Sequence, residues 1–135
     1  MNQNIIADTS VWIEYFKNNS GIVNFLEKNL LGDSIYIVGI VVAELMQGVK
    51  NENERELLRA NLDAVQYIEM TYDDWIKAGD ISNELRKKRI TLPLTDIAIA
   101  AVAIRNGMEV ATLGKHFEYI PDVSICNLYK GERCK

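Results

Sequence analysis

The sequence predicts a three-layer α/β/α domain built on a central parallel sheet, and three observations lead there. Short β-branched and aromatic runs alternate with longer segments of helical period. Caps and stop residues separate the two kinds of segment along the whole chain. Strands alternating with helices imply crossover connections, and these cover a parallel sheet on both faces.

The first strand is expected over residues 4–7, an apolar run that ends at Asp8-Thr9-Ser10, a cap for a helix over 11–16. That helix ends near Asn18-Asn19-Ser20-Gly21, after which Ile22, Leu26 and Leu30 recur at helical spacing and Gly32 closes the segment. Residues 35–38 are β-branched and aromatic, a second strand. Helices over 41–49 and 52–64, split at Gly48 and Asn51, precede a third strand over 65–68. Thr71 opens a long helix with Asp74 in the capping-box position. Its inward face is expected to carry Trp75, Ala78, Ser82 and Leu85. After Leu92-Pro93-Leu94, Thr95 caps a helix that runs to Asn106 and stops at Gly107. Strands over 109–112 and 123–127 complete the pattern.

A chain of 135 residues suits one domain over 1–135 with a core of its own. Hydrophobic residues at 48% and charged residues at 25% are the balance of an ordinary globular protein. No apolar run approaches the ~20 residues that cross a bilayer. The opening Met1-Asn2-Gln3-Asn4 lacks the positive region of a signal peptide, so a cytoplasmic protein without membrane contact is expected. Cys126 and Cys134 make neither a disulfide framework nor a four-ligand zinc site, and two unpaired thiols are expected.

The formal net charge of −4 argues against a protein that coats nucleic acid by bulk electrostatics. It does not exclude a nuclease whose bound cations meet the phosphates. Arg86-Lys87-Lys88-Arg89 is one basic run in a mostly acidic chain. It reads either as a solvated helix end near the negative helix pole or as a local hold on RNA.

Three acids fall where an open parallel sheet binds ligands, at the carboxyl ends of its strands. Asp8 directly follows the first strand, Glu44 lies just inside the helix after the second, and Asp96 opens an alanine-rich helix. Each is embedded in apolar sequence, where a carboxylate without a partner is costly. Taken singly, Asp8 reads as a helix cap, Asp96 as a first-turn residue and Glu44 as a partly exposed helix residue. Taken together, crowded carboxylates repel unless a cation sits between them. A hard divalent ion, Mg²⁺ or Mn²⁺, resolves that conflict and supports in-line attack on a phosphodiester.

The segments Ile5-Ile6-Ala7-Asp8-Thr9-Ser10-Val11-Trp12-Ile13, Val42-Ala43-Glu44-Leu45-Met46-Gln47-Gly48 and Leu94-Thr95-Asp96-Ile97-Ala98-Ile99-Ala100-Ala101 resemble the PIN-domain family, specifically its VapC-like toxins. The likeness spans essentially the whole chain and implies a single PIN-like domain over 1–135. It further implies an endoribonuclease toxin of a type II toxin–antitoxin pair, homodimeric and inhibited by a cognate VapB-like antitoxin. By the same resemblance, Asp8, Glu44 and Asp96 match metal-site acids for Mg²⁺ or Mn²⁺. Thr9 or Ser10, and Thr112 after the fourth strand, match hydroxyls that orient that site. One departure stands out: Gly114 occupies the place where the family usually carries a fourth acid or an Asn. His116, the only histidine, is expected as a polar residue beside the site.

Other folds that place an Asp after the first strand fit less well. A haloacid-dehalogenase-like phosphatase needs a second Asp two residues on, where this chain has Ser10. A response-regulator receiver needs an acidic pair at the first strand, and Asp8 has no acidic neighbour. The alternative within the family is a PIN fold that binds antitoxin or RNA without cutting, because Gly114 removes the fourth acid.

Overall fold

The computed structural model describes residues 3–128. Five parallel strands, β1 (Ile5–Ala7), β2 (Ile35–Val38), β3 (Gln66–Ile68), β4 (Glu109–Thr112) and β5 (Ser124–Asn127), form one sheet in the order β3-β2-β1-β4-β5. Among the described residues six α-helices join and flank them: α1 (Thr9–Phe16), α2 (Ser20–Leu31), α3 (Gly39–Met46), α4 (Glu52–Asp63), α5 (Tyr72–Lys87) and α6 (Leu94–Asn106). A short 3₁₀ turn, His116–Tyr119, stands between β4 and β5. This is the three-layer α/β/α arrangement that the alternation of elements predicts.

The central strands are buried on both faces, in keeping with the apolar runs of β1 and β2. Every residue of β1 and β4 is buried, and in β2 only Tyr36 is partly open. The edge strand β3 is looser, with Tyr67 half exposed. Helix α6 is buried continuously from Ile97 to Ala103, because its alanines allow close approach of neighbouring elements. Trp12 and Phe117 are the largest wholly enclosed side chains and pin α1 and the 3₁₀ turn to the core.

Strand order decides where chemistry can sit. β1 pairs with β2 on one side and β4 on the other, so the chain reverses its winding between β1 and β4. Such a switch point opens a crevice at the carboxyl ends of the two strands. Asp8 follows β1 and Thr112 closes β4, so both stand at that crevice. The Asp8 amide donates to the Ala111 carbonyl at 3.0 Å, extending the ladder one residue past β1.

Several expectations need correction. Trp75 is exposed, and the inward face of α5 carries Asp74, Ala78, Ile81 and Leu85 instead. Thr95 lies inside α6, whose N-cap is Pro93, since proline's fixed φ suits a helix entry. Gly32 ends α2 with φ −87°, and the left-handed residue is its neighbour Asp33 at φ 54°. Gly107 does take the left-handed conformation, at φ 64°, as the stop signal predicts. Cys126 is buried and disulfide-bonded, so the expected pair of unpaired thiols does not hold there. The chain's other cysteine, Cys134, lies outside the described residues. Among the described residues no helix is long and apolar enough to cross a membrane.

Candidate active site

Asp8 is the N-cap of α1 and also the most deeply set of the three acids, at 5% exposure. Its Oδ1 accepts the Val11 amide at 3.2 Å and the Ser10 hydroxyl at 2.5 Å. Its Oδ2 accepts the Thr112 hydroxyl, also at 2.5 Å. The cap reading of Asp8 therefore holds, and the same side chain stands at the crevice between β1 and β4. Ser10 in turn accepts the Leu113 amide at 3.2 Å, and Thr112 accepts the Gly114 amide at 2.9 Å. These bonds tie the loop after β4 to the start of α1 across the crevice.

Burial pushes the Asp8 carboxyl above its ordinary pKa, and the neighbouring Asp96 charge adds to the rise. The Ser10, Thr112 and Val11 hydrogen bonds act in the opposite direction without cancelling it. Among the described residues no Lys or Arg pairs with Asp8. A carboxylate buried beside a second one, with hydroxyls and an amide but no Lys or Arg among the described residues, is costly to ionise.

Asp96 is half-buried in the first turn of α6, and His116 Nδ1 lies 2.6 Å from its Oδ2. Glu44 is half-buried on α3, where its Oε1 accepts the Thr9 hydroxyl at 2.7 Å. The fold thus brings Asp8, Asp96, Ser10 and Thr112 to one crevice and links Glu44 to it through Thr9, the residue after Asp8. The acids are not a closed cage. Among the described residues no three His, Cys, Asp or Glu side chains are drawn together as metal ligands.

Gly114 has a backbone that other residues can adopt, and a Cβ there would meet only the Thr112 hydroxyl, at 3.6 Å. Its carbonyl accepts from Asn127 at 3.2 Å. Sequence reading did not single out Asn127, which is wholly buried and paired in register with Thr112. The available signal was a polar residue following Ile125 and Cys126 at the end of the last strand.

Beside Glu44 runs an apolar groove of about 400 Å³, lined by Ile13, Phe16, Leu45, Leu57 and Leu58 together with Glu44 itself. Ile13 and Phe16 are open to solvent there, whereas Trp12 turns into the core. The basic run at the end of α5 is exposed, with Lys87 held by Glu84 at 3.1 Å.

Comparison with known proteins places the fold. The PIN domain family model matches residues 5–123. The chain is 30% identical to "Ribonuclease VapC1" of Rickettsia felis, over 90% of this chain and 93% of that protein. Its fold is similar to a chain in the crystal structure of VapBC2 from Rickettsia felis bound to a promoter DNA fragment. That match has a TM-score of 0.77 and 26% identity over 91% of this chain and 97% of the other. A chain of the DNA-bound VapBC from Salmonella typhimurium matches with a TM-score of 0.78 and 25% identity, over 92% and 97%.

Proposed function

Because the chain belongs to the PIN domain family, we propose that it is a VapC-type endoribonuclease, the toxin of a type II toxin–antitoxin pair. The whole chain, residues 1–135, acts as one PIN-like domain in the cytoplasm. The observation that carries the reading is Asp8: a buried carboxylate at the sheet's switch point, beside Asp96 and without a basic partner among the described residues.

The donor set fits a hard divalent cation, Mg²⁺ or Mn²⁺. All of its oxygens are of the type such ions prefer, and a cation would relieve the Asp8–Asp96 repulsion. Mg²⁺ is commonly held by one or two carboxylates and keeps several waters, so the open arrangement of the acids suits it. Asp8 and Asp96 would hold the ion, with Glu44 as the third acid. When bound, the ion polarises a phosphodiester and lowers the pKa of a water for attack.

The chain's own groups supply the rest. Ser10 and Thr112 fix both oxygens of Asp8, and Thr9 fixes one oxygen of Glu44. The exposed run Arg86-Lys87-Lys88-Arg89 offers positive surface for RNA on a net-acidic protein. The apolar groove between α1, α3 and α4 suits an amphipathic helix, and we assign it to a VapB-like antitoxin. Its contact with Glu44 would let a bound antitoxin reach the site. A homodimer is the expected assembly.

Cleavage rather than binding alone is favoured by the relatives' name, ribonuclease, and by retention of all three acids. Incubating the purified chain with structured RNA in Mg²⁺ or Mn²⁺, with EDTA as control, tests the reading. Metal-dependent cuts are expected. No cleavage with either ion would leave the binding-only alternative.

A further inference from the structure

The acids of the crevice are each held by a dedicated donor, and for Asp96 that donor is the one histidine. An ionised carboxylate can only accept, so the 2.6 Å contact has His116 Nδ1–H donating to Asp96 Oδ2. Among the described residues no hydrogen bond reaches Asp96 Oδ1, which stays available to a ligand. His116 does not wander on a free loop. It starts the 3₁₀ turn, and the next residue, Phe117, is 2% exposed in the core. The imidazole itself is 50% exposed, so the contact adds little to the fold. Gly114, in the same loop, has no side chain to serve Asp96.

We propose that His116 is a positioning residue that clamps one oxygen of Asp96 and turns the other toward the divalent cation, making good part of what Gly114 lacks. The inference rests on the metal-site reading above. Outer-shell partners of metal ligands act in this way, and their loss typically weakens metal affinity by roughly 10–100-fold. The imidazole of His116 orients Asp96 without itself coordinating the ion.

Titration of Mn²⁺ into the metal-stripped full chain by calorimetry, without RNA, tests this. Four proteins are compared: the parent, His116→Ala, His116→Asn and Asp8→Asn. His116→Ala is expected to weaken Mn²⁺ binding about 10-fold while melting, metal-free, within a degree or so of the parent. His116→Asn should recover most of the loss, because its amide Nδ2 can donate from the position of imidazole Nδ1. Parent-like affinity in His116→Ala alongside a lost Asp8→Asn site would overturn the positioning role and leave the metal site standing. Failure of His116→Asn to recover affinity would overturn it too, pointing to the ring as a ligand. A metal-free His116→Ala that melts far below the parent would make the contact structural. Parent-like binding by Asp8→Asn would remove the metal-site reading itself.

Discussion

Two aspartates in this protein are almost equally enclosed, Asp8 at 5% exposure and Asp74 at 1%, yet their surroundings are opposite. Asp74, at the start of α5, receives Arg105 Nε at 2.6 Å on one oxygen and Arg105 Nη2 at 2.8 Å on the other. It also closes the capping box by accepting the Thr71 amide at 2.9 Å. Hydrogen bonds from Arg105 hold its carboxyl below the ordinary value, against the effect of burial. Asp8 has hydroxyls and one amide, and its carboxyl is pushed up. Low surface exposure therefore hides two different settings: Asp74 lies shallow beneath the partly exposed Arg105, whereas Asp8 is set deep in the fold. Depth and the charge supplied within hydrogen-bond reach together set the opposite shifts. Asp74 clamps α5 to α6 through Arg105, whereas Asp8 meets no Lys or Arg among the described residues.

The comparison is broken most directly at Asp8. Asp8→Asn, and likewise Asp96→Asn, should lower metal-dependent RNA cleavage by at least about 100-fold, more than the usual loss of an outer-shell partner. Asn is as good an N-cap as Asp, so the metal-free Asp8→Asn protein should melt no lower than the parent at neutral pH. Cleavage at the parent's rate, or a collapse of metal-free stability, would place Asp8 in the same class as Asp74.

Arg105→Ala is the converse experiment. It strands Asp74 without its partner and should destabilise the chain by about 2 kcal/mol. That lies below the roughly 3–5 kcal/mol typical of a fully buried pair, because the guanidinium keeps contact with solvent. Metal-stimulated cleavage per folded molecule should be unchanged. Denaturant melts with cleavage rates normalised to folded protein check both halves.

The two acids also pull in opposite directions with pH. Between the unfolded value near 3.8 and its raised folded value, Asp8 binds more protons folded than unfolded. Metal-free stability is therefore eroded as pH rises through that window. Asp74 has a lowered folded value, so its contribution is present above about 3.8 and is lost as pH falls through that lower value. Melting temperatures of metal-free parent and Asp8→Asn should thus converge near pH 4 and separate toward pH 7, with Asp8→Asn the higher. Adding Mn²⁺ should stabilise the parent and reverse the order. Arg105→Ala should lie closest to the parent at the acid end. Parallel curves for parent and Asp8→Asn would show that Asp8 carries no unpaired charge.

A smaller change is expected at Gly114. The backbone there is ordinary and a Cβ has room, so Gly114→Asp should fold normally and tighten Mn²⁺ binding several-fold, with faster cleavage. Equal affinity and equal rate would place Gly114 outside the site. The smallest effect belongs to the basic run. Lys87→Gln with Lys88→Gln should remove up to two phosphate contacts and flatten the salt dependence of RNA binding accordingly. An unchanged slope would return the run to a solvated helix end, which the Lys87–Glu84 pair already suggests in part.

Much of this was legible in the residues themselves. Local signals act over three or four positions, so β2 and β4, the Thr71–Asp74 capping box and the Gly107 stop follow from the chain alone. So did the candidacy of Asp8, Glu44 and Asp96, because acids in apolar sequence are rare enough to mark themselves. Trp75 was misplaced because an aromatic at helical spacing does not say which face meets the sheet; that depends on what α6 presents, and α6 presents Arg105 to Asp74.

The strands and helices, their alternation and the acids at their ends follow from local residue patterns. Tertiary structure alone decided the strand order β3-β2-β1-β4-β5, and hence that Asp8 and Thr112 share one crevice across more than a hundred residues of chain. It also decided that Arg105 reaches Asp74 and that His116 reaches Asp96. Those contacts join side chains remote in sequence. Their charges act through space and not along the chain, so no local pattern encodes which buried aspartate meets an arginine and which meets only hydroxyls and an amide among the described residues.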